Sequence, residues 1–194
     1  ITAALSPTVR EVCSEACAAA KRHGVTVSCD LNYRKTLWSE QEAQSVMRPL
    51  MESMDVLFAN EEDIEKSLGL RAADSDVVSG KLSVAGYSAL MGRLAGEFGF
   101  KAVAVSLRES LSASDNNWSA LLYSGGEVYE SKKYGIHIVD RVGGGDSFAS
   151  GMIYAMLNDY APQDAVEFAV AASCLKHSIE YDFNLSTPEE VLAL

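Results

Sequence analysis

The sequence predicts an α/β domain of three layers, in which helices cover both faces of a mostly parallel sheet. Two observations support this fold class. Stretches with helical periodicity alternate with short β-branched runs along the 194 residues, a succession that is typical of parallel sheets. The composition, with 48% hydrophobic and 22% charged residues, is close to that of globular domains. Because a chain of this length can fill one well-packed core, we predict a single domain over residues 1–194.

The elements in the first half of the chain follow from local signals. Ser6-Pro7, Ser39 and Asn60 are typical helix starts, because their side chains or ring suit the first helical turn. The predicted order is helix 6–23, strand 25–29, helix 39–54, strand 55–59, helix 60–68, helix 82–98 and strand 101–105, with residues 77–84 ambiguous. In the first helix, apolar spacing predicts a buried stripe made of Val9, Val12, Cys13, Ala16, Cys17 and Ala20.

The second half begins with a hairpin and continues with two helices. Strands at 118–123 and 128–132 are predicted to meet across Gly125-Gly126. Helices are predicted at 143–157 and 163–178, and the second of them is apolar nearly all round, so we expect it to be deeply buried. Residues 74–80 and 109–117 are predicted loops.

Charge and cysteine content narrow the function classes. The 16 basic and 27 acidic residues give a net charge of −11, which disfavours broad binding to nucleic acid or anionic lipid. No apolar run approaches the roughly 20 residues of a membrane span, and the first residues do not resemble a secretory signal. Four cysteines do not make a disulfide framework, and Cys13 and Cys17 are more typical of core packing than of a metal pair. We therefore expect a cytoplasmic protein with reduced thiols, and self-association stays open.

Polar residues that follow the predicted strands are the first candidates for a ligand site. In open parallel sheets, ligands bind beyond the carboxyl ends of the strands. This rule selects residues 30–34, 60–63 and 106–108.

The sharpest local feature is the stretch from Asp140 to Gly151, which contains three consecutive glycines. Glycine is unfavourable for stability, so a run of three indicates that a ligand approaches the main chain closely. Because the run leads into a helix, its free N–H groups and the helix dipole would form an anion site. Asp146, in the first turn, could accept the proton of a substrate hydroxyl. The alternative is a flexible turn followed by an ordinary helix-start residue, and no Walker-type lysine is present.

This stretch resembles the signature of the ribokinase-like (PfkB-type) carbohydrate kinases, Asp-Thr-x-Gly-Ala/Gly-Gly-Asp-x-Phe-x-x-Gly. The matching positions are Asp140, Gly143, Gly144, Gly145, Asp146, Phe148 and Gly151. Arg141 replaces the usual threonine, as in the branch of 2-keto-3-deoxygluconate kinases. The resemblance implies a ribokinase-like fold with a Rossmann-like sheet, and ATP and Mg²⁺ as cofactors. It also implies that Asp146 is the catalytic base beside the sugar, and that the amides of the three glycines stabilise the transferring phosphoryl group.

Two further segments fit the same family. Asp30-Leu31-Asn32-Tyr33-Arg34, with Leu37-Trp38, resembles a stretch of ketodeoxygluconate kinases and fructokinases, which implies that Asn32 and Arg34 bind the substrate. A guanidinium suits a sugar-acid carboxylate, although Arg34 could instead be a surface arginine paired with an acid.

The segment from Asn60 to Asp63 resembles the family's Asn-x-x-Glu motif, which implies that Asn60 helps bind the nucleotide and Asp63 the metal. Asp63 is one methylene shorter than the usual glutamate, so Glu61 or Glu62 could serve instead. The alternative is an acidic first turn that complements the helix dipole.

The remaining positions implied by the resemblance concern the nucleotide. Ser106 and Arg108 lie where the family has a glycine-containing nucleotide loop, and His177 begins the segment that lines the adenine site, although it could equally be a packed or surface histidine. The N-terminal part of the family's chain and its β lid have no counterpart here, so we expect little kinase activity from these 194 residues alone.

The sequence thus predicts ATP-dependent phosphorylation of a sugar or sugar-acid hydroxyl, with 2-keto-3-deoxygluconate as the expected substrate. Fructokinase or ribokinase specificity is one alternative, and a truncated nucleotide-binding module without catalysis is another.

Overall fold

The computed structural model describes residues 1–72 and 84–194. After a 3₁₀ turn at Thr2–Ala4, the elements are α1 (Pro7–Arg22), β1 (Ser28–Asp30), α2 (Glu40–Met51), β2 (Val56–Asn60), α3 (Glu61–Leu68), α4 (Val84–Phe98), β3 (Ala102–Ser110), β4 (Asp115–Ser124), β5 (Glu127–Glu130), β6 (Tyr134–His137), α5 (Gly144–Leu157), α6 (Pro162–Lys176) and α7 (Pro188–Leu192). The strands form a mixed sheet in the order β1-β2-β3-β4-β5, with β6 paired to β4. None of the helices in this described part has the length and hydropathy that a membrane span needs.

The chain divides into two compact units, one reaching Ala104 and the other beginning its main segment at Val105, so β3 starts in the first and ends in the second. In the first unit, β1 and β2 are parallel, with Cys29 opposite Leu57. The predicted helix starts are confirmed: Ser6, Ser39 and Asn60 each accept a hydrogen bond from a first-turn N–H.

The prediction of a buried stripe on α1 is wrong, because no residue of this helix is buried. Val12 is 57% exposed, and Cys13 and Cys17 are only half-buried. Polar contacts near its ends hold the helix: Arg10 donates to Ala3 O and to Glu42, and Lys21 donates to Glu52 O. Periodicity identifies the apolar side of a helix, but it does not say whether another element covers that side.

In the second unit, the predicted hairpin is confirmed as β4 and β5, which are antiparallel. Its turn is made by Gly125 and Gly126, both with positive φ. The predicted loop over residues 109–117 is shorter in the structure, because β3 continues to Ser110 and β4 begins at Asp115, and the predicted loop over 74–80 lies outside the described residues. The strand β6, which pairs with β4 in antiparallel fashion, was not predicted.

The two long helices of this unit, α5 and α6, pack closely on each other. A Cβ atom at Gly151 would lie 3.0 Å from Ala169 Cα and 3.2 Å from Ala172 Cβ, so the last glycine of the signature allows this approach. The predicted burial of α6 is confirmed, since ten of its 15 residues are buried. The packing fixes α5, and therefore the turn that precedes it, against a rigid neighbour.

Candidate active site

The triple-glycine turn begins α5, and its three glycines differ in backbone conformation and in exposure. Gly143 is the N-cap residue, with a φ of 79° and no side-chain cap, and a Cβ here would lie 2.1 Å from Asp182 O. Gly144 is buried, and its N–H donates to Arg141 O at 3.3 Å. Gly145 is exposed, and a Cβ at this position would have no heavy atom within 4 Å. The turn therefore has a closed side at Gly144 and an open side at Gly145, where the uncapped amide end of a helix can meet an anion.

Asp146 follows immediately on the open side. Its side chain is exposed, and among the described residues its carboxylate makes no hydrogen bond or ion pair. It lines a groove of about 530 Å³ together with Ser150, Tyr154, Phe183 and Asn184. A carboxylate that is free, exposed and next to an anion-binding turn is placed to accept a proton from a bound hydroxyl.

Asp140 closes the loop before the turn rather than facing a ligand. Its carboxylate accepts the N–H of Val142 at 3.0 Å and the N–H of Tyr181 at 2.9 Å. These backbone hydrogen bonds lower the pKa of Asp140, the bond from Val142 having the largest effect. Arg141 points elsewhere and donates to Ala113 O.

His177 lies behind the turn, with 4% of its surface exposed. Its Nδ1 is 2.7 Å from Ser173 O, and its ring packs on Trp118 with 4.8 Å between ring centroids. Burial lowers its pKa, and a carbonyl can only accept, so the imidazole is neutral with its proton on Nδ1. His177 is thus buried against Gly144, and its expected contact with the nucleotide stays a prediction.

The other expected nucleotide residues of the second unit lie on a strand instead of a loop. Ser106 is buried and Arg108 is exposed, both within β3. The position of the family's nucleotide loop is therefore occupied by regular strand in this part of the chain.

In the first unit, the residues after β1 form a compact polar cluster with the start of α3. The N–H of Tyr33 donates to Asp63 Oδ1 at 3.1 Å, and the Tyr33 hydroxyl donates to Trp38 O at 3.1 Å. Asn32, in the left-handed region with a φ of 40°, makes the bend. Arg34 is exposed, and among the described residues it donates only to Tyr33 O, at 3.1 Å, so its guanidinium is available to a ligand.

Asp63 is a perturbed acid of this cluster. It is 6% exposed, and its pKa is raised to about 6, chiefly by burial and also by the charge of Asp30, although the hydrogen bond from Tyr33 and the charge of Arg34 act to lower it. Asn60 uses its Oδ1 to cap α3, accepting from the N–H groups of Glu62 and Asp63 at 2.9 Å each. Glu62 is exposed, and the side chain of Glu61 lies outside the described residues.

The donor chemistry of this cluster fits Mg²⁺. Magnesium prefers oxygen ligands and is usually held by one or two carboxylates together with substrate phosphates and water. Asp63 and Asp30 supply carboxylates close enough to influence each other's charge. Groups of three or more ligating side chains do not occur within residues 1–72 and 84–194.

Comparison with known proteins decides the family. The model of the pfkB family of carbohydrate kinases matches residues 1–179. The chain belongs to this family. A 2-dehydro-3-deoxygluconokinase structure from Thermotoga maritima superposes with a TM-score of 0.92 and 45% identity, over 98% of this chain and 56% of that one.

Curated relatives agree with that structure. The 2-dehydro-3-deoxygalactonokinase of Haloferax volcanii is 34% identical over 98% of this chain and 54% of its own length. A 5-dehydro-2-deoxygluconokinase of Clostridium perfringens is 26% identical over 92% of this chain and 48% of its own length. The chain thus spans about half the length of these relatives, and the predicted ribokinase-like α/β/α fold is confirmed.

Sequence reasoning missed the hydrogen bond from Ser173 to the turn and the packing of Trp118 on His177. A signal for Ser173 existed, because it interrupts an otherwise apolar helix together with Lys176, and buried polar residues in such helices usually have a specific partner.

Proposed function

We propose that this chain carries the phosphoryl-transfer site of an ATP-dependent sugar kinase that acts on a sugar acid, with 2-keto-3-deoxygluconate as the substrate. The observation that carries the proposal is the triple-glycine turn, whose open side at Gly145 lies directly before the free carboxylate of Asp146. An anion site beside an available base is the arrangement that phosphoryl transfer to an alcohol requires.

Each residue has a defined task in this reaction. Asp146 accepts the proton of the substrate hydroxyl as that oxygen attacks, and the amides at the start of α5 donate hydrogen bonds to the oxygens of the transferring phosphoryl group. The dipole of α5 adds a positive field at the same point. When bound, Mg–ATP supplies the phosphoryl group and the charge neutralisation of its phosphates. Catalysis by this chain is then mostly positioning and charge stabilisation.

The sugar-acid specificity rests on Arg34 and on the relatives. Arg34 is exposed, and its guanidinium can bind a carboxylate through two parallel hydrogen bonds, which a neutral sugar cannot offer. Asn32, which makes the bend before it, is the second substrate residue of the proposal. The relatives named above are kinases of dehydro-deoxy sugar acids, which favours this specificity over a fructokinase or ribokinase type.

Further residues of the proposal bind the metal and the nucleotide. Asp63 would hold Mg²⁺ through Oδ2, which has no hydrogen bond among the described residues, since Oδ1 already accepts from Tyr33. Asn60 keeps its amide NH₂ free of the helix cap for a nucleotide contact. In the second unit, Ser106 and Arg108 are the proposed nucleotide residues, whereas His177, buried behind Gly144, would act on the nucleotide only through the turn.

The proposal is tested by titrating the chain with Mg–ATP by calorimetry. The variant Gly145→Ala places a methyl group in open space, so it should fold normally but obstruct the phosphate, and we expect ATP affinity to fall at least tenfold. Gly96→Ala is the matched control, because Gly96 is also exposed in a helix with no atom within 4 Å of an added Cβ. Equal ATP affinity in the two variants would contradict the proposed phosphate site.

A second measurement separates catalysis from binding. Phosphate transfer to 2-keto-3-deoxygluconate and to its neutral analogue is followed by ³¹P NMR, with Arg34→Met as the variant. We expect transfer to the acid to depend on Arg34 and transfer to the neutral analogue to be slow in both proteins. ATP binding without any transfer would favour the alternative of a non-catalytic nucleotide-binding module.

A further inference from the structure

The back of the triple-glycine turn is held by two buried polar residues at the end of α6. The hydroxyl of Ser173 donates to the carbonyl oxygen of Gly144 at 2.8 Å, and both groups are buried. One turn later, His177 donates from Nδ1 to the carbonyl of Ser173 itself, at 2.7 Å. The signature motif is therefore tied to a helix that contains none of its residues.

The hydrogen bond of Ser173 has a directional consequence for the amide that faces the ligand. The Gly144 carbonyl and the Gly145 N–H belong to one planar trans peptide, so they point in opposite directions. Because Ser173 fixes the carbonyl by a hydrogen bond, the Gly145 N–H points away from the Ser173 hydroxyl, and Gly145 itself is exposed.

The imidazole of His177 limits how this peptide can move. A Cβ on Gly144 would lie 2.6 Å from His177 Cε1, so the ring fills the space that a side chain at position 144 would need. The ring is itself packed against Trp118, and the His177 carbonyl accepts the N–H groups of Val139 and Asp140 at 2.8 and 3.2 Å. The histidine thus contacts both the loop before the turn and the turn itself.

We propose that Ser173, supported by His177, is a positioning residue that aims the Gly145 amide at the transferring phosphoryl group. The inference rests on the proposed function, because it assigns a role within that phosphate site. Neither side chain reaches the reacting atoms, and both act through the peptide between Gly144 and Gly145.

The test compares Ser173→Ala with Ser178→Ala, a control whose hydroxyl is exposed and, among the described residues, donates only to Leu175 O in the last turn of α6. Two quantities are measured on the whole chain: the glycine-selective ¹H–¹⁵N spectrum without nucleotide, and the affinities for Mg–ATP and for adenosine. We expect Ser173→Ala to move the Gly145 resonance and to weaken Mg–ATP binding about tenfold, as loss of a buried hydrogen bond implies. Adenosine, which lacks phosphates, should bind within twofold of the unaltered chain.

Each result has one meaning. Mg–ATP binding that is equal in Ser173→Ala and the unaltered chain would overturn this inference and leave the proposed function standing. A parallel loss of ATP and adenosine affinity would show a general structural role and would also overturn it. Failure of the unaltered chain to bind Mg–ATP would overturn the proposed function and, with it, the role assigned to Ser173.

A second pair of variants keeps the inference testable if Ser173→Ala does not fold. Gly144→Ala should weaken Mg–ATP binding because its methyl group collides with His177, and adding His177→Ala to it should restore part of the affinity by vacating that space. No restoration in the double variant would contradict the proposed support by His177.

Discussion

Replacing Asp63 by asparagine measures how strongly the cluster at the start of α3 is destabilised in the absence of ligand. The substitution retains an oxygen that can accept the Tyr33 N–H and changes the side-chain volume little. It removes only the charge of a carboxyl that is 6% exposed.

The expected magnitude follows from the pKa of Asp63. Burial raises this pKa from 3.8 to about 6, and the difference corresponds to about 3 kcal/mol of folding free energy at pH values above both. Because the folded pKa is raised, the ionised group destabilises the folded chain above pH 6. As the pH falls from about 6 to about 4, the folded state binds the proton first and this destabilisation disappears.

We therefore expect Asp63→Asn to be more stable than the unaltered chain by about 3 kcal/mol at pH 7, and equally stable near pH 3.5. Urea unfolding at a series of pH values gives this difference directly. Glu62→Gln is the matched control, because Glu62 is exposed on the same helical turn and its replacement should change stability by less than about 0.5 kcal/mol. A stability gain that is absent at pH 7, or that persists unchanged in acid, would refute the argument from burial.

We expect Asp63→Asn to weaken function although it raises stability. If Asp63 helps to hold Mg²⁺, its neutralisation should raise the Mg²⁺ concentration needed for half-maximal ATP binding, although the protein is more stable. Such a combination is typical of residues that function retains against stability.

Three further predictions concern the second unit. Asp146→Asn should lower phosphate transfer by roughly 10²- to 10⁴-fold in a turnover assay while urea stability changes by less than about 0.5 kcal/mol, because the carboxylate is exposed; unchanged turnover would rule out Asp146 as the base. Gly143→Ala should lower the free energy of unfolding in urea by more than about 2 kcal/mol, because its Cβ would collide with Asp182 O. Gly99→Ala is the control, since Gly99 has a similar φ of 80° but open space around an added Cβ, and it should lower the free energy by only about 1 kcal/mol. Equal losses in the two variants would contradict the steric argument. Asn116→Leu should raise the free energy of unfolding by about 1–2 kcal/mol, because the Asn116 amide is buried without a hydrogen-bond partner in the described part of the chain. A lower stability in calorimetric unfolding would contradict this prediction.

Local signals in the sequence were sufficient for the elements that they define. The helix starts at Ser6, Ser39 and Asn60 and the Gly125-Gly126 turn depend on a few neighbouring residues, and each was predicted correctly. The family could be recognised for a similar reason, because the signature around Asp146 is contiguous along the chain.

Features that depend on packing between distant segments were not predictable. Periodicity on α1 could not show that its apolar side is uncovered, and the four residues of β6 become a strand only through pairing with β4. The perturbed acidity of Asp63 and the position of His177 behind Gly144 likewise depend on neighbours that lie 30 or more residues away in the chain.

The close contact between α5 and α6 at Gly151 restricts which substitutions the two helices can accept during evolution. A methyl group at this position would meet the backbone of α6 at Ala169, which cannot be relieved by a side-chain rotation. Substitutions at residues 169 and 172 that enlarge the side chain would displace α5 in the same way, so mutational drift along this contact should be confined to small residues. Libraries randomised at these two positions should consequently return mainly glycine, alanine and serine.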